Sequence, residues 1–383
     1  MLPQCPRRIA FVTTTPLSIE GGSGTFVGIQ GLAASLKRRS VGVDLLAPRR
    51  PWRAYTAQRI LYNWLVTPRL RAPGYDWVVG FDLDGFHYGR APVAPYVASV
   101  KGVIADELTN ERGWVKAMLR VQASFERLAV QRARVVVATS RYSRDRILEA
   151  YGIGAGKIVV VPEAVDLAAW GAPGAVEIAE PPAILTVAHL YPRKNLGTLL
   201  RACARLERDR LAFQCWVVGE GPCRRAWERE RDALRLRESV RFLGTTPRAE
   251  LRRRYAGAAI FCLPSRQEGF GIVFLEAMAS GLPVVAGRAA AVPEVVLDGE
   301  TGVLVDPRDP DALAEALAGL LRDTSRRRAL GEAGRRRAET YRADAVAECF
   351  VRRVGAALVE GAAPPATEEA HGMVTSGARP GCD

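Results

Sequence analysis

Residues 264–285 read PSRQEGFGIVFLEAMASGLPVV, and the character of the chain changes three times across them. The apolar run Ala259–Leu263 just before has the composition of a strand. A polar loop with Glu268 and two glycines follows. Then comes a helix candidate, Phe274–Ala279, carrying Glu276, and a second short strand candidate, Val284–Ala286. Such strand–helix–strand alternation belongs to a parallel sheet covered by helices, where ligands bind outside the carboxyl ends of strands. The glycines let backbone N–H groups come close to a ligand. The helix start offers unsatisfied donors at the positive end of its dipole, which suits a phosphate. Each carboxylate can accept two hydrogen bonds from sugar or ribose hydroxyls. One glutamate near a helix end is ordinarily just solvated; the whole string is what points to a site.

The same alternation runs outward in both directions. Downstream of the linker the strand candidates are Ala183–Val187, Gln214–Val218, Val240–Phe242, Ala259–Leu263, Val284–Ala286 and Gly302–Val305. Between or after them lie helix candidates Leu196–Leu206, Arg225–Leu236, Arg248–Ala256, Phe274–Ala279, Ala291–Leu297 and Pro310–Leu321. Upstream, Ile9–Thr13 reads as a strand, followed by the loop EGGSGT (20–25) and a helix to about Arg39. Val41–Leu46, Trp77–Gly80, Val93–Val100, Val135–Thr139 and Val159–Pro162 read as further strands, with helices at Trp114–Arg134 and Ser143–Tyr151. Trp170–Pro182 is rich in Gly, Ala and Pro, a linker composition. The expected fold is therefore α/β: two Rossmann-like domains, 1–173 and 174–340, facing a central cleft. A C-terminal helix over 341–360 is expected to pack back towards the first domain, and the Pro/Gly-rich tail 361–383 to be disordered.

Composition bounds the rest. The chain has 383 residues, 48% hydrophobic and 25% charged, as in ordinary globular proteins. No apolar run reaches the ~20 residues needed to span a bilayer, and the N-terminal run lacks the pattern of a signal peptide; a cytoplasmic location is expected. Seven cysteines without a CxxC pair and three scattered histidines argue against structural zinc or a disulfide scaffold. The net charge of +13 would suit a polyanion, but no nucleic-acid motif accompanies it, so nucleic acid is not an expected partner.

The 264–285 string resembles the glutamate–seven–glutamate motif of the retaining family 4 glycosyltransferases, which have the two-domain GT-B fold. Further segments resemble that family in order: AILTVAHLYPRKNLGTLL (183–200), WVVGEGP (216–222), VRFLG (240–244), AVPEVVLDGETGVLV (291–305) and VVPEAVD (160–166). The resemblance implies that Glu276 holds the nucleotide ribose and Glu268 contacts the transferred sugar. It implies that Phe270, Gly271 and Ile272 offer backbone donors, with Gly219, His189 and Glu294 also on the donor side. Arg193 and Lys194 would neutralise the diphosphate leaving group; fixed cations can stabilise that developing charge without a metal. Gly21, Gly22 and Gly24 would lie near diphosphate and acceptor; their spacing is not the GxGxxG of a dinucleotide site.

Three positions depart from the family pattern. His189 stands where Arg is common and is mostly neutral at pH 7. Lys101 stands roughly where an acceptor-side His is common, either binding phosphate or sugar or being a surface lysine, with the latter favoured. Asp106 and Glu107 nearby could reach the acceptor. Ala290 and Ala291 replace a glycine pair. Separately, RRPWRAYTAQRILYNWLVTPRLR (49–71) holds six arginines, no acids, two Trp and two Tyr. That pattern suits either an anionic membrane interface or an amphipathic helix packed on its own domain.

The expected function is transfer of a hexosyl group, with retention, from a UDP- or GDP-linked sugar to a glycan, lipid-linked or small-molecule hydroxyl. No metal or cofactor is expected, and peripheral contact with the inner membrane face is the open alternative to a fully soluble enzyme. The alternatives are a nucleotide-sugar epimerase or phosphorylase on the same fold, or a non-catalytic nucleotide-sugar-binding protein.

Overall fold

The computed structural model describes residues 5–15, 24–49, 54–171 and 178–360. Two six-stranded parallel sheets carry the molecule. The first contains β1 (Arg8–Val12), β2 (Gly42–Leu46), β3 (Trp77–Phe81), β4 (Tyr96–Val100), β5 (Val135–Ala138) and β6 (Ile158–Val160), in the order β2-β1-β3-β4-β5-β6. The second contains β7 (Ala183–Val187), β8 (Gln214–Val218), β9 (Val240–Gly244), β10 (Ile260–Leu263), β11 (Val284–Gly287) and β12 (Gly302–Val305), in the order β12-β11-β10-β7-β8-β9. All paired strands in both sheets run parallel. The central strands are buried on both faces, β3 and β4 at every residue, and this is why they read as unbroken apolar runs rather than as alternating ones.

The helices of the first lobe are α1 (Gly24–Arg38), α2 (Tyr55–Leu70), α3 (Ile104–Glu107), α4 (Gly113–Arg132) and α5 (Arg141–Tyr151); α6 (Leu167–Trp170) leads across. The second lobe has α7 (Leu196–Arg208), α8 (Arg224–Ala233), α9 (Arg248–Gly257), α10 (Ile272–Ala279), α11 (Val292–Val295), α12 (Pro310–Arg322) and α13 (Thr324–Glu339), and α14 (Ala343–Glu360) ends the described chain. Local chemistry sets several ends. Ser140 caps α5 by accepting from Ser143 N, and Gly152 closes it in the left-handed region. Asp309 caps α12 ahead of Pro310 in its first turn.

One core fills the second lobe, while the first has a layer on each face of its sheet. α14 belongs to the first lobe: Val346, Ala347, Cys349, Phe350 and Val354 sit in the same cluster as β1, β3 and α1 residues. The chain therefore crosses between lobes twice. The crossings lie side by side, since Val165 bridges to Arg342 and its N–H donates to Tyr341 O at 2.9 Å. β4 begins at Tyr96 rather than Val93 because Pro92 and Pro95 have no N–H to give a ladder. Six residues of the linker, 172–177, and the tail 361–383 lie outside the described residues.

Candidate active site

The strands of both sheets end at the gap between the lobes, and the chemistry-bearing side chains gather there. Gly271 stands at φ +91 at the head of α10, and a Cβ there would lie 2.5 Å from the Phe274 ring. Only glycine turns the 268–271 loop into the helix at that spot. Gly219, at φ +129 after β8, would place a Cβ 1.9 Å from Ala188 O; its bareness lets the ends of β7 and β8 close up.

Two cavities meet at this gap. The first, of about 190 Å³, is walled by the ends of β7 and β8, by Thr245, Thr246 and Arg248, and by Ile272 and Glu276 of α10. Glu276 is buried and accepts from Tyr255 OH at 3.3 Å. Burial pushes its carboxyl up to about 7, against the opposing pull of Arg248 and Tyr255. The second cavity, of about 470 Å³, lies in the first lobe between α2 and α4 and is roofed by residues 189–193. His189 borders both cavities.

Charged pairs line the seam. Lys194 Nζ lies 2.7 Å from Glu268 Oε1, and Ser265 Oγ donates to the same oxygen at 2.8 Å. Arg193 crosses to the first lobe, 3.3 Å from Glu107 and 3.8 Å from Glu111. Behind Arg193 the second cavity holds Arg59, Asp82 and Gln122. Arg59 donates to Gln122 at 3.0 Å and to Thr14 at 3.0 Å, and burial pushes Asp82 up to about 6 although Arg59 opposes it. Among the described residues, no group of three or more His, Cys, Asp or Glu has the arrangement of metal ligands.

Arg193, Lys194, Glu268, Gly271, Ile272, Glu276, Gly219 and His189 therefore come together around the seam. Phe270 does not expose its ring there: the ring is buried edge-on against Tyr341 at 5.8 Å, so only its backbone could serve a ligand. Glu294 is not in the donor cavity. Its two oxygens accept from the N–H groups of Arg141 and Tyr142, at 2.9 and 2.8 Å, at the start of α5 in the opposite lobe. The helix dipole and two unsatisfied donors hold a carboxylate there. Lys101 is not a surface lysine: its Nζ lies 2.7 Å from Glu163 Oε1, both side chains about nine-tenths buried. Asp106 accepts from Tyr142 OH and Gln267, each at 2.8 Å. Gly21 and Gly22 lie outside the described residues, and Gly24 opens α1 beside Ile272.

Sequence reasoning missed Arg59, Asp82, Glu111 and Gln122. The signal for Asp82 was present: FDLD (81–84) follows strand β3 at its carboxyl end, where ligands bind in such sheets. A further contact went unseen because it uses a backbone atom. Gly269 O accepts from Thr139, Ser140 and Ser143 hydroxyls at 3.2, 2.7 and 2.9 Å, tying the glutamate loop to the opposite lobe.

Two parallel-sheet lobes with a glutamate loop and basic loop at their seam define a GT-B protein. Residues 22–169 match Glycosyltransferase Family 4 and residues 174–337 match Glycosyl transferases group 1. The chain belongs to the family 4 glycosyltransferases. It is 36% identical over 253 residues to a GDP-mannose-dependent alpha-(1-6)-phosphatidylinositol monomannoside mannosyltransferase of Mycolicibacterium smegmatis, covering 62% of this chain and 65% of that one. It is 30% identical over 265 residues to a glycogen synthase of Mycobacterium tuberculosis, covering 69% and 63%. These alignments span just under two thirds of the relatives' length. Sucrose-phosphate synthase of Thermosynechococcus elongatus superposes over 92% of this chain and 100% of its own with a TM-score of 0.78 at 21% identity, a likeness of fold.

Proposed function

We propose that this chain transfers a hexosyl group from a UDP- or GDP-linked sugar to a hydroxyl acceptor, with retention of configuration and without a metal or resident cofactor. The observation that supports it most is the meeting of the two cavities at His189, with Lys194–Glu268 and buried Glu276 alongside. In this reading the smaller cavity takes base and ribose, with Glu276 on the ribose hydroxyls. Glu268 contacts the sugar, and Arg193 and Lys194 stabilise charge building on the departing diphosphate. The bond from the anomeric carbon to the diphosphate oxygen breaks as the acceptor oxygen attacks from the same face. The acceptor proton passes to the departing oxygen, so no protein nucleophile takes part. Closing the seam limits hydrolysis.

The acceptor would enter the larger cavity, whose carboxylates and amide suit a polyhydroxylated group. The name of the Mycolicibacterium relative records GDP-mannose and a phosphatidylinositol mannoside, which favours a GDP-linked donor and a lipid-linked acceptor here. The surface supports the same choice. α2 exposes Leu61, Trp64 and Leu65 (70% accessible), and α4 exposes Val121 and Trp114 (77%). Both helices wall the acceptor cavity and carry arginines and lysine for anionic lipid. No helix among the described residues is long and apolar enough to cross a membrane.

The test is a thermal-shift panel of GDP, UDP and their sugars with and without EDTA, followed by product analysis by NMR. Ligand at ~100 times its dissociation constant adds ~2.7 kcal/mol. Stabilisation that survives EDTA, then a product with the donor's anomeric configuration, is expected. A strict divalent-ion requirement, or an inverted product, would overturn the reading.

A further inference from the structure

A third cavity, of about 690 Å³, lies where the two inter-lobe crossings meet. Its walls are α1, the segment 164–170, α9 and the residues that open α14. Arg248 and Arg252 enter it from α9, and Arg342 enters from the return crossing. It adjoins the donor cavity, sharing Val27, Trp170, Arg248, Ile272 and Glu276, but Arg252, Arg342 and the 164–168 segment line it alone.

The charges in this cavity are unbalanced. Among the described residues, none of the three guanidiniums forms a salt bridge, although arginines elsewhere in the chain are widely paired. Arg248 lies over the Trp170 ring at 5.5 Å. Arg252 Nε is buried with no hydrogen-bond partner, an arrangement that costs free energy unless something fills the gap. The carboxylates on the same walls leave Arg252 and Arg342 without a salt bridge, and only Glu276 feels one of the three cations, Arg248. Asp166 caps α6 through Ala169 N at 3.1 Å, Asp344 takes Arg38 at 2.8 Å, and Glu276 faces Tyr255.

We propose that this hinge cavity binds a small phosphate-bearing anion, separate from the sugar donor, through Arg248, Arg252 and Arg342. Guanidinium forks match phosphate oxygens two at a time, and the volume is that of a small-molecule site. The walls belong to both lobes and both crossings, so an anion bridging Arg252 and Arg342 favours the lobe arrangement seen here over a more open one. Because the cavity shares a wall with the donor site, anion and nucleotide are coupled, and each changes the other's affinity by the same factor.

The experiment is calorimetric titration of the full chain with inorganic pyrophosphate at physiological ionic strength, on wild type and three variants. R252Q/R342Q should bind at least tenfold more weakly, while still binding GDP or UDP. R252K/R342K, which keeps both charges, should stay within a few-fold of wild type and guards against a folding defect. R193A/K194A, which removes the diphosphate cations of the donor site, should still bind pyrophosphate. Undiminished binding by R252Q/R342Q, loss of binding by R193A/K194A, or no binding by wild type would each overturn the proposal, and none of these depends on transfer activity.

Discussion

Replacing Glu276 by Gln should stabilise the fold and weaken nucleotide binding at once. The carboxyl is buried against Tyr255 and its pKa stands at about 7, where an ordinary glutamate is at 4.5. Between those values the native state binds more protons than the unfolded chain, so stability falls as pH rises through that window. Below about 4.5 the group is neutral in both states and contributes nothing to the difference. Above about 7 the native state carries the full burden of a buried charge. The difference of about 2.5 pH units corresponds to about 3 kcal/mol at ~1.4 kcal/mol per unit. Glutamine keeps the shape and can still accept from Tyr255, so Glu276→Gln should gain about 3 kcal/mol over wild type at pH 8 and little at pH 4.5. Urea unfolding at a series of pH values reads this directly, and titration with GDP or UDP should show weaker binding, since the charged acceptor for the ribose hydroxyls is lost. A stability difference that does not change with pH would refute the electrostatic argument. Unchanged nucleotide affinity would refute the ribose role.

Four other outcomes follow from the geometry. Lys194→Ala should lower kcat by about 10²–10³-fold, the usual effect of losing one group that stabilises developing negative charge, with a much smaller change in acceptor KM. Glu294→Ala removes the charged acceptor for two N–H groups at the partly exposed head of α5, a loss of about 1 kcal/mol; nucleotide binding should persist while transfer falls and small-angle scattering reports a more open chain. Ala290 sits at φ +52, where a Cβ costs about 1–2 kcal/mol; Ala290→Gly should raise the urea midpoint by an amount worth about 1 kcal/mol. A Trp64→Gln/Leu65→Gln double variant should lose at least tenfold in sedimentation with anionic vesicles, since each apolar side chain is worth about 1.5–3 kcal/mol when buried, and should fold as wild type.

The parts legible from sequence are those with local causes. Both sheets were readable because parallel strands buried on two faces are continuous apolar runs, with strand ends within two residues of those expected and the start of β4 moved three residues by its prolines. α13 escaped notice because half of TSRRRALGEAGRRRAE is charged, and only Leu330, Gly331, Gly334 and Ala338 are buried. The glutamate loop was legible because carboxylates and glycines stand between a strand and a helix, whereas the basic loop was legible only through its resemblance to the family. Ala290 was legible as a departure, and its positive φ explains why glycine is the easier residue there.

What sequence could not show is which charges meet. Arg193 finds Glu107 from 86 residues away, and Glu294 finds α5 from 153; no periodicity links such positions, and only the docking of one lobe on the other creates the contact. Arg193 and Lys194, offered to a diphosphate, are held by Glu107, Glu111 and Glu268. A desolvated cation without a counter-charge is expensive, so the carboxylates let these cations stay largely buried and rigid before a donor arrives. On the proposed function, a diphosphate held by Arg193 and Lys194 would displace Glu107 from Arg193 and share Lys194 with Glu268, freeing a carboxylate towards the proposed acceptor cavity. Donor binding and the charge presented to the acceptor are then linked through one arginine. Glu107→Gln should accordingly strengthen binding of the free nucleoside diphosphate while weakening use of a polyhydroxylated acceptor. If both affinities moved in the same direction, the linkage would be wrong.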